Sequence, residues 1–204
     1  MRKLLHYAMI LALIFLCGSG MAISRTESLL HEVFGIVMFL CVLLHLAVNR
    51  KWFTSLSRGK YNANRFMTAA ANFLLIAAIL LIAVSSVVIS GYVFSKLNLS
   101  GAFWGRQIHM AATAWLFVIS GIHYGMHMRK RYLSLYIAGA FGIAAFIVCR
   151  LYERLFLLNE FAYMPYIPER TIYLLHALMF AAFIVLGNEL KQIMTRKGKA
   201  NEKR

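Results

Sequence analysis

The sequence predicts an all-α fold, an integral membrane bundle of six transmembrane helices with both termini in the cytoplasm. Three observations carry that reading: a composition too apolar for a water-soluble domain, six separate apolar stretches of spanning length, and a one-sided distribution of positive charge. Of 204 residues, 61% are apolar and only 14% charged, with a mean hydropathy of +0.69; ordinary soluble domains are about 25% charged. The formal charge of +15 would point to nucleic acid in a soluble protein. In a membrane protein it marks cytoplasmic loops, so the expected surroundings are the lipid bilayer, with no nucleic acid. Six spans of about 20 residues use most of the chain and leave no room for a nucleotide-binding or flavin-binding domain.

The six stretches fall at about 4–23, 30–48, 70–93, 107–127, 133–150 and 170–188. The first, preceded by Arg2 and Lys3, also resembles a secretory signal. Its apolar run exceeds the usual h-region and no clear A-x-A site follows, so it reads as a retained span. The next four are uninterrupted by proline, because Pro165 and Pro168 both fall between the fifth and sixth, where the chain turns anyway. The sixth runs into a basic tail at 191–204. Cys17, Cys41 and Cys149 lie inside apolar runs, form no CxxC pair, and read as small buried hydrophobes. Alternate loops collect the cations. Sixteen of the 22 Lys and Arg fall before the first stretch, after the second, after the fourth and in the tail. The positive-inside rule therefore puts both ends inside, in agreement with an even number of crossings.

An ionisable side chain within a span is a functional candidate, because unpaired polar atoms in hydrocarbon are costly. His31 and His45 are 14 residues apart on the second stretch, and His109 and His123 are 14 apart on the fourth. Fourteen steps of about 100° come within about 40° of four whole turns, so each pair shares a face about 21 Å apart along the axis. With one span between them, the second and fourth helices run the same way and their depths match. His31 and His109 lie near the outer surface, His45 and His123 near the inner one. Opposed imidazoles at two depths are the axial ligand set of two low-spin b-type haems. His31 with His109 would hold the outer iron and His45 with His123 the inner one, making a path for electrons through the bilayer with no catalytic residue.

The neighbours bear on that expectation. Gly35, Gly105, Gly121 and Gly125 either let a flat macrocycle approach the backbone or serve helix packing. Arg106 at the outer end, and Arg50, Lys51 and Arg129 at the inner end, are candidate propionate partners or ordinary loop charges. His127 shares the ligand face and is the alternative inner ligand; its closeness to Arg129 places it at the interface. His6 and His176 have no partner at the 14-residue spacing and read as interfacial or packing histidines. Other uses of the four histidines stand beside haem: chance or packing, a single metal ion, or a histidine-relay proton or metal transporter without haem. The spans are poor in acid for a relay. Glu32 and Glu189 are the only acids in or at an apolar run.

The segment His31-Glu-Val-Phe-Gly-Ile, continued by His45-Leu-Ala-Val-Asn-Arg-Lys-Trp-Phe53, Arg106-Gln-Ile-His109 and Gly121-Ile-His123, resembles a bacterial family of membrane b-type cytochromes. That family is catalogued as a domain of unknown function and is often encoded near periplasmic proteins carrying covalently attached flavin, the FMN-binding domains. More distantly it resembles the haem core of ferric reductases and respiratory cytochromes b. The resemblance covers about residues 1–130 and implies bis-histidine haem b in the bacterial inner membrane. It also implies electron transfer to or from a flavin-bearing or other extracytoplasmic redox partner. The chain thus divides into a four-helix haem-binding core at 1–130, two further spans at 131–190 and the basic tail. The outward loop at 150–168 is rich in Tyr, Phe and Leu, and its first half reads as an interfacial amphipathic segment. It serves either as an aromatic anchoring belt or as a docking surface for that partner. A quinone would sit near Trp52, Phe53 and His127, although no motif specifies one.

Overall fold

The computed structural model describes residues 2–19, 25–59, 61–160 and 167–201. Among these the helices are α1 (Arg2–Ser19), α2 (Arg25–Val48), α3 (Lys51–Ser55), α4 (Ala63–Ile89), α5 (Ala102–His127), α6 (Leu133–Val148), α7 (Leu151–Phe156) and α8 (Glu169–Asn201). One 3-10 turn covers Ser95–Leu97, and no strand occurs among the described residues. The apolar stretches lie in α1, α2, α4, α5, α6 and α8, while α3 and α7 are short helices in the connections.

Boundaries depart from the apolar runs where local chemistry starts or stops a helix. α4 begins at Ala63 because Asn62 caps it, its side chain accepting from the Arg65 amide at 2.9 Å. It ends at Ile89, since Ser90 turns extended and donates its hydroxyl to Glu32 at 2.7 Å. α8 continues through the basic segment to Asn201, where cations complement the negative end of the helix dipole. The tail expected at 191–204 is therefore largely a continuation of α8.

Among the described residues, three helices are long and apolar enough to cross a membrane: Ser28–Val48 in α2, Ala63–Ile89 in α4 and Arg170–Arg196 in α8. The others fall short for identifiable reasons. α6 has 16 residues, about 24 Å against a hydrocarbon core of about 30 Å. α5 has 26 residues, but Arg106, Gln107, His109, His123 and His127 dilute its apolar character.

α8 lies at the centre, packed along α5 and α6 and touching α1; α4 covers another side of α5, and α2 runs mainly along α1. Small residues make the central seams. A Cβ on Gly125 would strike the Ile184 carbonyl, and one on Gly187 the Ile122 carbonyl, so the α5 and α8 backbones are in contact. Gly139 and Gly142 do the same between α6 and α8. Close backbone approach of this kind is how helices associate where lipid removes the hydrophobic drive. Phe117, His176, Met179 and Cys149 are fully buried around these seams. Leu40, Leu81, Val84 and Phe141 instead point outward, in keeping with a protein solvated by lipid rather than water.

The loop helix α7 is anchored rather than lying free in an interface. Trp115 donates its indole N–H to the Leu155 carbonyl at 3.0 Å, and Gln107 its amide to the Glu160 carbonyl at 2.7 Å. Its own Leu151, Glu153 and Leu155 are buried. Glu153 is satisfied by Arg150 and by Asn159, 2.7 Å away. The amphipathic pattern is real, but its apolar face meets the bundle.

Candidate functional site

His31, on the second turn of α2, and His109, on the third turn of α5, face each other with ring centroids 6.2 Å apart and planes at 61°. Four helices position them. Ser19, at the end of α1, lies 2.9 Å from His31 Nδ1, and Ser86 and Ser85 of α4 lie 3.2 and 3.4 Å from His109 Nδ1. Glu32, beside His31, is tied to the end of α4 by Ser90 and by the amides of Gly91 and Val93 at 2.8 and 2.9 Å.

The serines also set the ring chemistry. Ser85 donates its hydroxyl proton to the Leu81 carbonyl at 2.7 Å, and Ser19 to the Leu16 carbonyl at 3.3 Å. A serine whose proton is engaged in this way offers its oxygen as an acceptor for an imidazole Nδ1–H. The matching tautomer carries its lone pair on Nε2, the arrangement found in metal-ligating histidines whose other nitrogen is held by an outer partner.

At the other end of α2 and α5 the arrangement is wider. His123 and His127 lie 4.7 Å apart at the ring centroids, and His45 lies 5.1 Å from His6 of α1. His45 and His123 are within electrostatic reach of each other and of both neighbours. Their Nδ1 atoms are buried without a hydrogen-bond partner among the described residues, which costs stability in an apolar setting. His6 was not singled out by the 14-residue spacing. No spacing within α1 points to it: α1 runs antiparallel to α2 and brings Ser19 to His31 and His6 to His45 by packing.

The donor set fits an iron porphyrin. Two imidazole nitrogens on opposite sides of one metal, at bonds of about 2 Å, would hold ring centroids roughly 6.3 Å apart, a separation that the 6.2 Å pair already has. A bare ion fits less well: among the described residues no group of three His, Cys, Asp or Glu side chains could hold one.

The glycine question divides by position. Gly105 is filled by Val88 and Ile89, Gly121 by Phe183 and Phe180, and Gly125 by the α8 backbone, so these three serve helix packing. Gly35 alone of the four has open space where a side chain would stand. Arg106 is exposed one turn before His109, and Arg50, Lys51 and Arg129 are exposed beyond His45 and His123. Trp52 packs edge-on to Phe53 and against Phe73. His176 is fully buried on α8, bonded through Nδ1 to the Ile172 carbonyl at 2.8 Å, and edge-on to Phe117. Its Nε2 lacks a partner among the described residues. Cys149 is buried, whereas Cys17 and Cys41 are only partly so, and all three are free thiols. Residues 161–166 of the aromatic loop lie outside the described residues, so its docking role is not addressed by the packing of α7.

No family model, curated protein or solved structure matches this chain.

Proposed function

We propose that the chain is a dihaem b-type cytochrome of the bacterial inner membrane, the electron-transfer subunit of an oxidoreductase. It would span the membrane six times, with both termini inside. It would carry electrons between an inner donor or the quinone pool and an extracytoplasmic flavin-bearing or other redox protein. The observation that carries the reading is the facing of His31 and His109, 6.2 Å apart, each with Nδ1 engaged by serine. His31 and His109 would hold the outer haem, and His45 and His123 the inner one, with His127 as the alternative inner ligand and Arg106 the outer propionate partner. When bound, the haems supply one-electron carriers at two depths.

The chain's own residues do the positioning. Ser19, Ser85 and Ser86 hold ring tautomer and orientation, and α5 keeps the two ligand levels about 21 Å apart. Close packing on α8 supports spanning by the shorter or more polar helices, since a short helix is accommodated by local thinning of the bilayer. The sixteen cations on one set of loops support the orientation.

The test is an absorption spectrum of the purified protein, oxidised and then dithionite-reduced, with haem quantified per polypeptide. Two b-type haems per chain are expected. A colourless protein after haem-sufficient expression overturns the reading. That outcome would favour the second reading, a histidine relay for protons or metal, for which the specific observation is the two close ring pairs, His6 with His45 and His123 with His127, more imidazoles than one axial pair uses.

A further inference from the structure

Where α5 ends, beyond His127, a cleft of about 590 Å³ opens between the α5–α6 connection and the last turns of α8. Arg129 and Arg131 line one wall, and Lys191, Gln192, Thr195 and Arg196 the other. Glu189 is the nearby acid, and it is already engaged by Arg131 at 2.6 Å and by the Tyr136 hydroxyl. Lys191 reaches the Met128 carbonyl at 3.4 Å, while Arg129 and Arg196 have no acidic partner among the described residues. Positive charge therefore exceeds negative around this shallow, open cleft. Tyr132 and Leu133, which follow Arg131 in the chain, are half and more than three-quarters exposed, so the chain that leaves the cleft carries an exposed apolar surface.

We propose that this cleft binds the phosphate of an anionic phospholipid, with the acyl chains passing over Leu133. A cationic pocket between helices at the membrane surface offers charge-assisted donors to phosphate oxygens. That exposed apolar surface is what separates a lipid from a free anion. Thr195 and Gln192 are spoken for within the fold, Thr195 by Asn64 and the Lys191 carbonyl and Gln192 by Asn188, so the arginines dominate recognition. This inference rests on the chain lying in a membrane and does not depend on haem.

The test is native mass spectrometry of the full chain in detergent, with phosphatidylglycerol or phosphatidylcholine added at equal concentration. Preferential retention of phosphatidylglycerol is expected, falling about fivefold for each of Arg129→Gln and Arg196→Gln. Arg129→Lys with Arg196→Lys should keep most of it, and Arg58→Gln, an exposed cation outside the cleft, should keep all of it. Equal retention of the two lipids overturns the proposal, as does an equal loss from Arg58→Gln, which would indicate bulk charge. Displacement of the lipid by millimolar inorganic phosphate would overturn the lipid as occupant and leave a free-anion site.

Discussion

Ser19 Oγ lies 2.9 Å from His31 Nδ1, a contact that joins the last residue of α1 to the second turn of α2. At the far end of the same antiparallel pair the His6 ring lies 5.1 Å from that of His45. The 13 residues from His6 to Ser19 and the 14 from His31 to His45 span nearly equal lengths, about 20 and 21 Å. α1 is therefore a supporting strut for both histidine levels.

This makes the two supports separable. Ser19→Ala should weaken haem binding at the His31 level about tenfold, at the lower end of what loss of an outer partner costs, and leave the other level intact. His6→Ala should do the reverse. Haem titration followed by low-temperature spectra resolves the two sites, and an equal effect of either change on both would argue against local support.

Single replacement of His31 or His109 by Ala should remove one haem and leave one; the same holds for His45 or His123. Pyridine haemochrome assay per polypeptide reads the count. Full haem content in the fourfold variant would sink the ligand assignment, and loss at His127→Ala in place of His123→Ala would exchange the inner ligand.

Glu32 accepts three hydrogen bonds from Ser90, Gly91 and Val93, which clamp α2 to the end of α4. Bonds to a charged acceptor are the stronger kind, and a glutamine would turn a donor toward one of these groups. Glu32→Gln should cost about 2–3 kcal/mol and speed amide exchange at Gly91 and Val93. Unchanged protection at those two amides would mean the clamp is not formed in the bilayer.

Two glycines should respond in opposite senses. At Gly125 a methyl group meets the Ile184 carbonyl, so Gly125→Ala should cost about 1–3 kcal/mol by forcing α5 from α8. At Gly35 nothing lies within 4 Å, and alanine should be neutral or stabilise the helix by up to about 1 kcal/mol. Unfolding titrations in mixed micelles measure both, and similar costs at the two sites would contradict the seam described.

The sequence by itself determined the helical class, because uninterrupted apolar runs of about 20 residues satisfy their backbone hydrogen bonds in lipid within a single helix, whereas the strands of a barrel are about half as long and alternate in polarity. It also determined the alignment of His31 with His45 and of His109 with His123, since residues 14 apart on any α-helix share a face. Which helices touch was not legible, because apolar residues surround these helices whether they face lipid or protein. Packing assigned Gly105, Gly121 and Gly125 to helix seams, folded α7 against α5, and brought His6, Ser19, Ser85 and Ser86 to the histidines. Those partners come from α1 and α4, and only tertiary contact, which depends on relative rotation of separate helices, could bring them within reach of the rings.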